Sequence, residues 1–313
     1  MRDAVDLVGR LRTGDRRAIA RVISLVENGS PQASEILRAL YPHTGHAVTI
    51  GITGSPGSGK STLTDALISL VRAKGLTVGV VAVDPTSPFS GGALLGDRVR
   101  MQEHALDEGV FIRSMATRGH LGGLSLAAPE AMRVLEAAGK DVVIVETVGV
   151  GQSEVEVAGQ ADTTIVVVAP GMGDAIQAAK AGVLEVADVF CINKADKDGA
   201  NDTARDLRNM LEMGHGRDPT WNPPIVRTVA TQGTGVDELW EAVSNHREHL
   251  SAAGSLEDRR RQRLGAEILA IVTERLRERV EREAGARYDE LVQQVVDREL
   301  DPYTAADRLL SGM

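Results

Sequence analysis

The most explicit chemistry in the chain lies in Gly54-Ser55-Pro56-Gly57-Ser58-Gly59-Lys60-Ser61-Thr62. Two glycines bracket a short loop, and a lysine and a hydroxyl follow at once, the pattern Gly-x-x-x-x-Gly-Lys-Ser. Glycines let successive backbone N–H groups converge on one anion, and the positive end of the following helix adds to the attraction. Lys60 is then placed to reach the β- and γ-phosphates of a nucleoside triphosphate, and the Ser61 hydroxyl to ligate Mg²⁺. The setting is the one such a loop requires. An aliphatic run at 48–53 precedes it, and a helical pattern at 61–73 follows it.

Asn193-Lys194-Ala195-Asp196 closes another aliphatic run, again where a loop would face the nucleotide. The Asp196 carboxylate can accept from both N1–H and the exocyclic amine of guanine. Adenine would oppose it with a lone pair, and a polar group left unpaired makes that rejection steep. Val229-Ala230-Thr231, after the last aliphatic run, is placed to meet the base through backbone groups. The expected ligand is GTP or GDP.

Three carboxylates suit Mg²⁺ and water positioning. Asp84 ends the second aliphatic run, Asp97 stands in Leu95-Gly96-Asp97-Arg98, and Glu146 directly follows Val142-Val143-Ile144-Val145. Lys60, Asp84 and Glu146 are the catalytic candidates; Ser61, Asp84, Asp97 and Glu146 are the metal candidates. Capping of a turn is the plainer alternative for Asp84 and Asp97. In Glu146-Thr147-Val148-Gly149-Val150, valine stands where a Ras-like enzyme carries a water-orienting glutamine, so slow intrinsic hydrolysis is expected. Arg98, Arg113 and Arg118 are candidate charge stabilisers, although such arginines more often serve surfaces or ion pairs. His246 and His249 share helical spacing but have no third ligand nearby, and read as a solvated helix face.

Elements must position these groups. Short aliphatic runs at 48–53, 77–83, 142–146, 164–169, 189–193 and 225–229 alternate with helix-length segments. This implies an α/β fold, a mostly parallel sheet with helices on both faces, with binding loops beyond the carboxyl ends of the strands. Residues 3–40 read as helices broken at Gly14-Asp15 and at Asn28-Gly29-Ser30-Pro31. Past Ser255, Leu264, Ile268, Ile271, Val272, Leu276 and Val280 recur at helical spacing among charges, and a similar segment runs from Tyr288 to Leu310. The expected division is an N-terminal helical extension (1–45), a nucleotide-binding domain (46–250) and a C-terminal helical arm (251–313). An apolar stripe on that arm, outside the sheet domain, points either to docking or dimerisation or to simple packing on the core.

The 313 residues carry 35 Lys and Arg against 44 Asp and Glu, a net charge of −9, which argues against nucleic acid as a partner. One cysteine, Cys191, excludes an internal disulfide and a cysteine-rich metal site, and its apolar surroundings read as a buried strand. No signal peptide or membrane-length apolar run is visible, so a cytoplasmic protein with no membrane partner is expected.

Longer strings are more specific than the phosphate loop. Val83-Asp84-Pro85-Thr86-Ser87-Pro88, Gly91-Gly92, Leu95-Gly96-Asp97-Arg98, residues 111–123 and residues 146–154 stand in order. Together they resemble the methylmalonyl-CoA mutase-associated GTPases, a metallochaperone-like group of P-loop G proteins, over nearly the whole chain. The resemblance implies slow GTP hydrolysis, homodimers formed through the C-terminal helices, and docking on an adenosylcobalamin-dependent acyl-CoA mutase whose cofactor loading is gated and whose inactivation is prevented. Some members carry an older label as an arginine/ornithine transport-system kinase. A third mobile segment of the family matches residues 173–180, where Asp174, Gln177 and Lys180 fit and Ala175 replaces an expected glutamate. A nickel- or zinc-insertion GTPase would need cysteine- or histidine-rich motifs that this sequence lacks. A kinase would need an acceptor site that cannot be located, and a relic scaffold would have lost Lys60 or Ser61.

Overall fold

In the computed structural model, the described residues are 2–85, 102–104, 106–117, 123–147, 158–171, 186–213, 220–283 and 285–311. Local side chains set the first helix boundaries. Helix α1 (Arg2–Arg12) gives way at Gly14 to Asp15, whose carboxylate accepts from the N–H groups of Arg17 at 2.8 Å and Ala18 at 3.2 Å, capping α2 (Arg16–Glu27). Pro31 opens α3 (Pro31–Leu40), where its missing N–H costs nothing.

Seven strands are described: β1 (Val48–Gly54), β2 (Val78–Pro85), β3 (Val110–Thr117), β4 (Val142–Thr147), β5 (Thr163–Val168), β6 (Val189–Asn193) and β7 (Ile225–Thr228). They form one parallel sheet in the order β3-β2-β4-β1-β5-β6-β7. The six aliphatic runs each correspond to a strand, but β3 did not announce itself. Phe111-Ile112-Arg113-Ser114-Met115 mixes polar and apolar residues, as an edge strand does, and lacks the continuous run that marks a central one.

Both faces are covered because successive side chains point opposite ways. On one face Val81, Val83, Val143 and Val145 pack with α5 (Gly123–Ala137) and with Leu11, Ile19, Ile23, Ile36 and Leu40 of the N-terminal helices. These three helices therefore belong to the core layer. On the other face Ile50, Ile52, Ile144 and Val167 pack against α4 (Lys60–Ala73) and α7 (Val236–Ala252). Helix α6 (Ala200–Met213) covers Phe190 and Ile192. Cys191 is buried in β6, as expected, and burial pushes its thiol up to about 12, so it is not reactive at neutral pH.

The chain separates into a unit ending at Arg260 and a second unit of Arg261–Met313. Helix α8 (Ser255–Glu283) starts in the first unit and runs into the second, which also holds α9 (Gly285–Val296) and α10 (Pro302–Ser311). Its first turns are held by ion pairs at the amino ends of β5 and β6. Arg259 Nη1 lies 2.8 Å from Asp188 Oδ1, and Arg260 Nη2 lies 2.6 Å from Asp162 Oδ2. Asp188 also faces His246 Nε2 at 3.3 Å and accepts from the Thr164 N–H at 2.9 Å. His246 is wholly buried, with Nδ1 2.9 Å from Thr163 Oγ1, which corrects the solvated-face reading; the Trp221 ring, tilted against it, adds to the burial. Burial raises the carboxyl of nearby Glu136 above its ordinary range, opposed by hydrogen bonds from the Gly45 and Ala47 N–H groups and by Arg260.

A boundary at Ser255 would cut through these pairs. Breaking a buried ion pair by removing one partner costs about 3–5 kcal/mol. A chain ending at Gly254 should therefore melt about 10 °C or more below one ending at Gln262, which keeps both arginines. Equal melting temperatures by calorimetry would show that Asp162 and Asp188 do not need them.

Candidate functional site

The phosphate loop leaves the sheet where β1 lies between β4 and β5. Gly54 pairs in register with Val167, and a Cβ at Gly54 would collide with the Val167 carbonyl. Gly59, with φ 91°, sits against Asn193 so closely that a Cβ would strike the carboxamide nitrogen. Only glycine lets the chain turn in both places. Helix α4 begins at Lys60, so its amino end opens directly onto the loop.

Lys60 is nearly buried, and its ammonium donates to the carbonyls of Gly54 at 2.6 Å and Ser55 at 3.1 Å. This keeps the cation over the loop. Ser61 Oγ, one residue into the helix, donates to Glu146 Oε1 at 2.6 Å. Glu146 is 1% exposed and comes from the end of β4, so helix and strand bring a hydroxyl and a carboxylate together in the interior. Hard oxygen donors of this kind fit Mg²⁺, and the glycine-lined loop under Lys60 fits a polyphosphate.

Asn193 ends β6 beside this loop. Its Nδ2 donates to the Ser58 carbonyl at 3.0 Å, with the Gly59 carbonyl at 3.4 Å, while Oδ1 accepts from Ala230 N at 3.1 Å and Thr228 Oγ1 at 3.2 Å. Both halves of the carboxamide are thus used within the protein. The next residue, Lys194, has φ 58°, an uncommon value outside glycine, and its Nζ donates to the Gly57 carbonyl at 2.7 Å. The Ala195 N–H is held by the Thr228 carbonyl at 3.0 Å. This leaves Asp196 exposed, beyond the buried asparagine. Val229 and Thr234 form an isolated bridge that shapes the last loop, with Ala230 buried and Thr231 exposed.

The remaining sequence candidates separate. Asp84 lies at the end of β2, whose neighbour β4 carries Glu146, with its backbone in register with Ala116. Arg113 points to α2, where Nη2 meets Glu27 Oε2 at 3.2 Å and Ser24 Oγ at 2.9 Å, so it is an ion-pair arginine and not part of the site. Asp97, Arg98, Arg118, Gly149, Val150 and the 173–180 segment lie outside the described residues. Sequence reasoning missed the strut role of Asn193 and the fastening of Lys194. Their position at a strand end was visible, but the carbonyls they meet lie more than a hundred residues away.

Comparison with known proteins agrees with this geometry. The profile of the family described as methylmalonyl-CoA mutase-associated GTPase MeaB matches residues 19–285. A Pyrococcus abyssi protein provisionally named as a GTPase is 52% identical, covering 97% of this chain and 95% of its own. The mouse protein named methylmalonic aciduria type A homolog, mitochondrial, is 32% identical, covering 97% of this chain and 79% of its own. A crystal structure described as an LAO/AO transport system kinase superposes with a TM-score of 0.72 at 33% identity, over 98% of this chain and 96% of that one. With a parallel sheet, a phosphate loop closed by Lys60 and Ser61, and a match over most of its length, the chain belongs to the methylmalonyl-CoA mutase-associated GTPase family.

Proposed function

We propose that this GTPase binds GTP and GDP with Mg²⁺, hydrolyses GTP slowly, and serves as a chaperone that docks on an adenosylcobalamin-dependent acyl-CoA mutase, methylmalonyl-CoA mutase above all. On this reading it gates cofactor loading and protects the mutase from inactivation. The single observation carrying the nucleotide reading is the 2.6 Å contact of Ser61 with Glu146 directly behind a loop covered by Lys60. The loop amides from Gly54 to Thr62 hold the phosphates, and Lys60 turns from the loop carbonyls to the β- and γ-oxygens. Ser61 and Glu146 hold Mg²⁺, which when bound offsets charge on the transferring phosphoryl group. Asp84 positions water from the neighbouring strand end, and Asp97 completes the metal set. Asp196 reads guanine, while Asn193, Lys194, Val229, Ala230 and Thr231 shape the base pocket.

Support for the mutase as partner comes from the family's description and from the mouse relative's name. A GTPase can drive such a partner only if the partner binds its two nucleotide states unequally. Support for a homodimer is the stripe on α8, where Ile268 is 62% and Leu269 69% exposed in a single chain. Among the described residues no helix is long and apolar enough to cross a membrane, and the proposed compartment is the cytoplasm.

GTP and GDP should bind at least ~100-fold more tightly than ATP and ADP. Asp196→Asn should shift preference toward xanthine nucleotides; equal ATP and GTP affinities by titration calorimetry would sink the guanine assignment. Lys60→Ala should abolish turnover, since nothing else among the loop residues carries a positive charge to the phosphates. Light scattering of the full-length protein at micromolar concentration should give a dimer mass, and a monomer mass refutes that part. The mutase from the same organism should bind and raise GTP turnover. If it neither binds nor alters turnover or cofactor loading in any nucleotide state, the chaperone reading is wrong and the GTPase assignment stands.

A further inference from the structure

We infer that Thr147 is a positioning residue for the metal site, acting through a buried hydroxyl bridge to Thr53 that aligns β4 with β1. The inference rests on the proposed Ser61–Glu146 metal site. The β1–β4 ladder is parallel and its last registered pair is Ile52 with Glu146. One residue further, β1 turns away toward Gly54 and the loop, so backbone pairing with β4 stops where alignment matters most. Thr147 Oγ1 donates there to Thr53 Oγ1 at 3.1 Å, with the Ile52 carbonyl as a second acceptor at 3.4 Å. Thr147 is 0% and Thr53 1% exposed. Water cannot take over either role.

Alternation along the strands divides the labour. Glu146 points to the face that α4 covers, where Ser61 meets it; Thr147 and Thr53, one residue on, point to the opposite face with Val143 and Val145. A tie on one face thus sets the height of a carboxylate on the other. The far side of β1 is already fixed, since Gly54 lies hard against the Val167 carbonyl. On the β4 side, the hydroxyl bridge is what ties β1 to β4 beyond the last ladder pair among the described residues. Without it the end of β4 is aligned by β2 alone, where Val83 pairs with Thr147, and the Ser61–Glu146 spacing loses its direct tie to β1.

The test follows release of GDP carrying a fluorescent ribose label, with Mg²⁺ titrated against EDTA, in the full-length protein. Thr147→Val keeps shape and strand preference but removes the hydroxyl. It should raise the Mg²⁺ concentration that half-maximally slows release by about tenfold to 100-fold, the loss typical of groups that orient metal ligands. Release in EDTA should stay near the wild-type rate. Thr147→Ser should restore most of the Mg²⁺ response. The double variant Thr53→Val with Thr147→Val leaves no orphaned hydroxyl, so it guards against simple unfolding; its melting temperature should recover while its Mg²⁺ midpoint stays raised. A midpoint that recovers with stability, or that never moves in any variant, overturns the inference. If release from the wild-type protein ignores Mg²⁺, the metal-site reading itself fails and this inference falls with it.

Discussion

Asn193 donates to the Ser58 carbonyl at 3.0 Å and accepts from the Ala230 N–H at 3.1 Å, so one buried planar group joins the phosphate loop to the loop after β7. A loop that offers its N–H groups to phosphate must turn its carbonyls elsewhere, and those carbonyls need donors. Asn193, Lys194 and Lys60 supply them to Ser58, Gly57, Gly54 and Ser55. Unmet buried polar groups each cost about 1–3 kcal/mol, so a loop held open without these donors would be expensive. The loops after β1, β6 and β7 are consequently one polar assembly.

That assembly stands at the carboxyl ends of the strands, on a sheet that helices cover on both faces. Helices on both faces bury β4 and β5 completely, so neither strand can shift without disturbing packed aliphatic side chains. The N-terminal helices are part of this arrangement. The amino ends of β5 and β6 have their own polar node, where Asp162 and Asp188 meet Arg260, Arg259 and His246. The proposed nucleotide loops lie at the carboxyl ends of the strands and this ion-pair node at the amino ends.

The two ends use buried charge differently. At the amino ends of β5 and β6, Asp188 and Asp162 each meet a guanidinium, which is a structural solution. At the carboxyl end of β4 Glu146 meets a neutral serine hydroxyl, an acceptor-rich pairing that suits a cation. The contrast separates an ion-pair anchor from the proposed metal site within one domain.

Much was determined by the sequence alone, because the decisive signals were local. Gly54 to Thr62 needs only its own spacing and flanking patterns to be read, and Asn193 to Asp196 likewise; the helix breaks at Gly14-Asp15 and at Pro31 follow from capping and ring chemistry within a few residues. The parallel sheet was legible because continuous aliphatic runs between helices have few other solutions. Tertiary structure decided what depends on distant partners. Polar alternation in Arg113 and Ser114 hid edge strand β3, and Arg113 proved to be bound to Glu27. His246 looked solvated in a helix pattern, yet Thr163 and Asp188, brought from two strand ends, bury it. Asn193 reads as part of the guanine tetrapeptide, and only the fold shows that both ends of its amide also meet carbonyl and N–H groups of other loops. Residue type and spacing determine what a group can do; which partner satisfies it is decided by chain crossings that no local pattern encodes.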